Sequence, residues 1–222
     1  MDYKACWDYQ ENLFNETIAQ KISNRSLEPG QQIITKNHLL FVEHPHVYTL
    51  GKSGDASHLL INDNQLEEKQ ATYYKINRGG DITYHGPGQL VGYPILDLER
   101  LKPDIVLYMR NLEEIIIRTL AEYGIQSERS SGETGVWIDT AFPHKARKIC
   151  AIGIRCSRWI TMHGLALNVN TDLQYFDYII PCGIANKQVT SLQKELGKNI
   201  AMQEVVSIMK EKFEEIFELE LG

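Results

Sequence analysis

Residues 146–170 read ARKICAIGIRCSRWITMHGLALNVN. Two apolar runs, 148–156 and 160–168, flank the pair Arg158-Trp159. A connection that short predicts an antiparallel hairpin, because parallel strands need a crossover of about a dozen residues or more. Outward from the hairpin, further strands are predicted at 134–138, 71–77 and 38–43. Helices are predicted on either side of this strand-rich middle. Residues 12–23 place Phe14, Ile18 and Ile22 at steps of four. Residues 104–123 carry Ile105, Met109, Leu112, Ile116 and Leu120 behind a capping Asp104. Residues 202–219 carry Val205, Val206, Met209, Phe213, Ile216 and Phe217. The pattern predicts an α+β fold, with a mixed, largely antiparallel sheet and flanking helices. Residues 1–222 read as a single domain, in which the tail from Ser191 forms at most a small lobe.

Composition narrows the function classes. The chain has 222 residues, 43% of them hydrophobic and 23% charged, as ordinary folded soluble proteins do. No stretch approaches the roughly 18 apolar residues of a membrane span. The first residues, MDYKACWD, show neither a basic nor an apolar leader segment, so a cytoplasmic protein is expected. A net charge of −6 argues against nucleic acid as a partner. The four cysteines, Cys6, Cys150, Cys156 and Cys182, form no Cys-x-x-Cys pair. Neither a disulfide framework nor a metal site is expected, and no cofactor is read.

Three segments hold residue types that do chemistry. The first runs Arg78, Gly79, Gly80, Asp81, Ile82, Thr83, Tyr84, His85 and on to Gln89, with glycines that let backbone approach a ligand. It is not a phosphate-binding loop, since no Gly-Lys-Ser/Thr follows. Tight turns around a short strand would explain it equally well. The second places Lys148 at the head of an apolar strand that continues through Ala151, Ile152 and Gly153. Beside a thiol such a lysine can do acid–base work, although a solvated strand end is the plainer reading. The third couples His163, Gly164, Leu165 and Ala166 to the run Ile-Ile-Pro-Cys-Gly-Ile around Cys182. A thiol held between proline and glycine is a candidate nucleophile, and an inert buried cysteine is the alternative.

Taken together, RGGDITYHGPGQLVGYPILDL, RKICAIGIR, HGLALNVN and IPCGI resemble the lipoyl(octanoyl) transferases, from about residue 40 to residue 192. The upstream run FVEHPHVYTLG resembles that family's EHPPVYT segment, with His46 in place of its second proline. The resemblance implies a biotin/lipoate protein ligase-like fold. It implies transfer of an octanoyl (or lipoyl) group from acyl carrier protein to a lysine of a lipoyl domain. The acceptors implied are 2-oxoacid dehydrogenase E2 subunits and the glycine cleavage H protein. By motif, Cys182 is implied as the acyl-thioester nucleophile and Lys148 as its partner. Arg78 to His85, Ala151 to Gly153 and Gly164 to Ala166 are implied to bind the acyl group, with Gly153 and Gly164 leaving room for it and Ile152 and Leu165 lining it.

Both proteins served would be acidic, so Lys145, Arg147 and Arg158 are expected to form a docking patch, with a solvated strand edge as the alternative. Three other readings compete. An ATP-dependent lipoate or biotin ligase would need no Pro-Cys-Gly nucleophile. A non-catalytic lipoyl-domain binder would tolerate loss of Cys182. A cysteine hydrolase would use His85 or His163 as its base.

Overall fold

The computed structural model describes residues 1–180 and 188–220. In chain order the elements are α1 (Tyr3–Asn24), β1 (His38–Val42), β2 (Val47–Leu50), α2 (Asp63–Glu68), β3 (Thr72–Lys75), β4 (Ile82–His85) and β5 (Gln89–Ile95). There follow α3 (Leu98–Leu101), α4 (Ile105–Ala121), β6 (Glu128–Ser130), β7 (Glu133–Ile138), β8 (Arg147–Ser157) and β9 (Ile160–Asn168). After the undescribed residues come β10 (Gln188–Val189), α5 (Leu192–Leu196) and α6 (Met202–Phe217).

The hairpin read from residues 146–170 is the middle of the large sheet. Strands β8 and β9 pair antiparallel from Cys150↔Leu167 to Ser157↔Ile160. Their turn places Arg158 and Trp159 at φ 50° and 66°. Two successive left-handed residues match the right-handed twist of a two-residue hairpin, even without glycine. The sheet runs β1-β5-β9-β8-β7-β6, and β10 joins β8 in parallel. A second sheet, β3-β2-β4, lies apart, with β2 parallel to β3 and antiparallel to β4. The fold is therefore α+β with a largely antiparallel sheet, as the pattern predicts.

One face of the large sheet is covered by α4 and α6. Leu112, Ile116 and Leu120 of α4 and Val205, Met209 and Phe213 of α6 join Val136, Ile149, Leu165 and Leu167 in one core. Asp104 caps α4 by accepting from the Leu107 N–H. The opposite face receives α1, whose Phe14 packs on Ile95, Ile160 and Met162. Helix α1 starts nine residues before the predicted helix (12 − 3). Its buried stripe is Tyr3, Cys6, Gln10, Phe14 and Thr17, whereas Ile22 is exposed. The apolar period misses the first turns because Gln10, a stripe position there, is polar.

Strand β5 lies in the sheet interior and yet contains Pro94, which offers no N–H. The β5–β9 ladder ends at Gly92↔Leu165, so the proline stands where that ladder is interrupted. Among the described residues, no helix is long and apolar enough to cross a membrane.

Candidate active site

Lys148 owes its orientation to a bulge. Along β7, Val136 opposes Cys150 and Trp137 opposes Lys148, so β8 spends one extra residue, Ile149, on a single step of its partner. Ile149 and Cys150 consequently both enter the helix-side core. An unbroken alternation would put Lys148 on the same face as Cys150 and Ile152. The bulge turns it to the other face, which it shares with Ala151 and Gly153. There the Lys148 Nζ stands 4.6 Å from the centroid of the Trp137 ring, an arrangement that favours a cation. Strand β10 pairs beside Lys148 (Val189↔Lys148), and the Thr190 N–H donates to the Lys148 carbonyl at 2.9 Å. Because β7 takes one edge of β8 here, β10 takes the other, beyond the end of β9.

From Lys148 the face continues as a slot between the large sheet and the small one. Its floor is Ala151, paired with Ala166, and Val91, paired with Ala166 on the next strand. Tyr3, Thr83, His85 and Tyr93 form its walls, with Arg78, Gly153, His163 and Gly164 completing it. The free volume is about 50 Å³, several times what one water requires. Of the residues implied by resemblance, Ile152 and Leu165 also border the slot, but both belong to the helix-side core. Gly80, Asp81, Ile82 and Tyr84 do not border it. Ile82 and Tyr84 pack in the separate core of the small sheet, and Asp81 contacts His58.

The glycines serve close backbone contact. A Cβ on Gly153 would lie 3.0 Å from the Gly79 carbonyl oxygen and 3.3 Å from Arg78 Cδ. One on Gly164 would lie 2.2 Å from the Gly92 oxygen and 2.6 Å from Pro94 Cδ. The Cβ positions of both glycines are taken up by neighbouring protein atoms, and both glycines also border the slot. Gly79 is held over β8 by its N–H to the Ile154 carbonyl at 2.8 Å. Arg78, 8% exposed, is anchored by Nη2 to the Thr49 carbonyl (2.7 Å) and Oγ1 (3.1 Å), and by Nη1 to the Gly79 carbonyl (3.0 Å).

Two buried histidines, His85 and His163, border the slot and a third, His44, backs its wall residue Tyr93; their partners set their tautomers. Gln89 gives its amide N–H groups to Tyr84 O and Asn168 Oδ1, so its Oε1 accepts from His85 Nδ1 at 2.8 Å. Asn77 donates to Glu11, so its Oδ1 accepts from His163 Nε2 at 2.7 Å. His44 donates from Nδ1 to Met1 O and accepts the Tyr93 hydroxyl on Nε2. Burial pushes His85 and His163 down to about 3 and His44 to about 4; the Arg78 charge adds to this at His85 and His163. All three are neutral at pH 7. His163 also sits at φ 59° within β9, a left-handed position that costs about 1–3 kcal/mol in a non-glycine residue. Its backbone N–H reaches Gln10 Oε1 at 3.2 Å, across to α1.

Sequence reasoning missed Tyr3, Val91 and Tyr93. Val91 and Tyr93 alternate within a run already singled out, so a strand reading of 89–95 would have found them. Tyr3 has no local signal; it reaches the slot because α1 crosses the sheet, and its ring stacks on His85 at 5.9 Å.

Burial pushes Cys150 up to about 12 and raises Cys6 and Cys156. Cys182 lies outside the described residues, whose nearest members are Ile180 and Gln188.

The expected basic patch is not one surface. Arg147 binds Glu195 with Nη2 at 2.6 Å and Asp139 with Nη1 at 2.5 Å. Lys145 stands near Phe142 at the Lys148 end of β8, and Arg158 lies in the turn at the other end, roughly 30 Å away by strand rise.

Comparison with known proteins adds independent findings. Residues 2–214 match the family described as the lipoyl protein ligase A/B catalytic domain. The octanoyltransferase of Christiangramia forsetii is 64% identical over 221 residues, covering 99% of this chain and 93% of that protein. The octanoyltransferase of Cytophaga hutchinsonii is 55% identical over 221 residues, covering 100% and 91%. Among solved structures, a lipoate-protein ligase A bound with ATP overlays with a TM-score of 0.69 at 16% identity, over 95% of this chain and 81% of that one. The bipartite lipoate protein ligase of Thermoplasma acidophilum gives 0.69 at 18%, over 96% and 80%. At such identities the overlays carry the fold alone.

Proposed function

The chain belongs to the lipoyl protein ligase A/B catalytic domain family and is an octanoyl-transferring acyltransferase of protein lipoylation, and we propose that Cys182 carries the octanoyl group as a thioester between two protein partners. The donor is octanoyl-acyl carrier protein. The acceptors are lysines on lipoyl domains of 2-oxoacid dehydrogenase E2 subunits and on the glycine cleavage H protein.

The observation that carries this reading is the turn of Lys148 onto the slot side of the sheet, beside β10, whose first residue Gln188 follows Cys182 by six positions (188 − 182). The other thiols are weak candidates, because burial raises all three. The Cys182 thiolate attacks the carrier's thioester carbonyl, and the carrier's thiol leaves with a proton. Thioester exchange is nearly balanced, so no ATP is required. The acceptor's ε-amine then attacks the enzyme thioester, forms an amide, and returns the thiol. The amide is the more stable product and draws the sequence forward. As an ammonium Lys148 stabilises the thiolate; as an amine it accepts the proton of the attacking lysine. The apolar floor of Ala151, Ala166 and Val91 takes the alkyl chain, and neutral histidines spare it a second charge.

A hydrolase reading is disfavoured by those same histidines: bases pushed to about 3 or 4 take up few protons at neutral pH. The test is intact-mass spectrometry after mixing with octanoyl-acyl carrier protein, without ATP or magnesium. A hydroxylamine-labile octanoyl adduct on Cys182 is expected, and Cys182→Ser should abolish transfer. Normal transfer by Cys182→Ser would defeat the proposal.

A further inference from the structure

Asp81 belongs to the segment whose resemblance implies acyl binding, yet its carboxylate faces away from the slot. Its Oδ2 meets His58 Nδ1 at 2.6 Å, and its Oδ1 accepts from the Asp55 N–H at 3.3 Å. Both side chains are largely shielded, with 11% of Asp81 and 24% of His58 exposed. The backbone is fitted tightly to this carboxylate: a Cβ on Gly54 would stand 2.6 Å from Asp81 Oδ1.

His58 closes a single 3-10 turn, Ala56–His58, and that turn supports another part of the chain. The Ile180 N–H donates to the His58 carbonyl at 2.9 Å, and the Leu60 N–H donates to the Tyr178 carbonyl at 2.9 Å. Between them Leu59 and Ile179 form an antiparallel bridge. Cys182 follows Ile180 by two residues (182 − 180). Asp81 follows Arg78 by three (81 − 78), and Arg78 borders the slot. Residues 78–81 thus touch the acyl slot at one end and, through His58, the stretch leading to Cys182 at the other.

We infer that the His58–Asp81 pair is a positioning device for the first acyl transfer. It holds residues 178–180 against the loop that borders the slot, and so fixes the position of Ile180, two residues before the nucleophile. The inference rests on the thioester reading of Cys182. Neither residue touches the reacting atoms. Because small misplacements of a reacting group cost on the order of 100-fold in rate, a hydrogen bond two residues upstream is enough to matter.

The test compares His58→Leu, which removes the ring donor, with His58→Asn, whose amide N–H falls near the place of the ring Nδ1. Three quantities are read in the whole chain. They are the first-transfer rate at saturating octanoyl-acyl carrier protein, the KM for that carrier, and amide hydrogen exchange at residues 178–180. His58→Leu is expected to slow first transfer by about 10- to 100-fold with KM within about twofold, and to speed exchange at Ile180. His58→Asn is expected to recover most of the rate and the protection. An unchanged rate in His58→Leu overturns the inference, as does an equal loss in both variants, which would mean general loosening of the loop. If the wild-type chain forms no octanoyl adduct, the thioester reading fails by itself. The exchange measurement then still decides the clamp: unchanged protection in His58→Leu overturns it.

Discussion

Gly164→Ala and Gly153→Ala make the same chemical change on paired residues of neighbouring strands, and the structure assigns them very different costs. Neither glycine has a positive φ, so backbone conformation is not what separates them. On Gly164 the new carbon would meet the Gly92 oxygen at 2.2 Å and Pro94 Cδ at 2.6 Å, both rigid parts of β5. Relief requires β5 and β9 to part by about an ångström, beside a ladder that already ends at Gly92. Overpacking of this kind costs about 1–3 kcal/mol. Losing one or two ladder hydrogen bonds adds about 1 kcal/mol each, for a total near 3–4 kcal/mol. On Gly153 the contacts are 3.0 and 3.3 Å, to a loop carbonyl and an arginine methylene, and a few tenths of an ångström suffice. That costs about 1 kcal/mol, partly offset by the lower unfolded-state entropy of alanine. For a chain of this size 1 kcal/mol moves Tm by about 2–4 °C, so Gly164→Ala should fall by roughly 10 °C and Gly153→Ala by less than about 4 °C. Thermal unfolding under reversible conditions, checked by urea titration, measures both. Octanoyl adduct formation should still suffer in Gly153→Ala, because the displaced loop carries Arg78. A Gly164→Ala protein within about 2 °C of wild type, or a larger loss in Gly153→Ala, would refute the reasoning.

Acid should destabilise the fold before carboxylates protonate. The folded pKa values of His44, His85 and His163 lie below the ordinary histidine value near 6.5, so the unfolded chain binds protons first and stability falls as pH drops through 6.5. At pH 5 the loss is about 2 kcal/mol per histidine, and urea unfolding that is flat between pH 7.5 and 5 would contradict it. Glu113, 1% exposed, accepts from Arg110, Arg129 and the Gly135 N–H. Glu113→Gln should cost about 2 kcal/mol, less than a fully buried pair because both arginines are partly solvated, and the urea midpoint reports it. Lys145→Glu should lower the transfer rate at low salt, whereas Arg158→Glu, at the far end of β8, should not; equal effects would restore a single patch.

The hairpin was legible from its two-residue turn, and α4 and α6 from uninterrupted apolar periods, with a capping Asp104 at the start of α4. The start of α1 was not, since Gln10 occupies its buried stripe and finds its partner, the His163 N–H, only in the folded state. Within the site, the close packing at Gly153 and Gly164 was not legible, because the atoms beside them come from distant parts of the chain. Asp81 looked like a ligand contact for the same reason. Its partner His58 lies 23 residues upstream, in a loop with no pattern to suggest the contact (81 − 58).

The bulge in β8 has a consequence for how the strand tolerates editing. Deleting a residue from a strand normally inverts every side chain on one side of the cut. At Ile149 the count already exceeds what β7 requires, so removing that residue regularises the ladder and leaves both halves in phase, with Lys148 still facing the slot. Removing Ile152 instead would leave the surplus in place and turn Lys148 toward the helices. Two deletions three positions apart would thus preserve nearly the same composition and length while giving opposite outcomes. Between related chains, a gap at one of these positions is a change of spelling, and at the other a change of meaning.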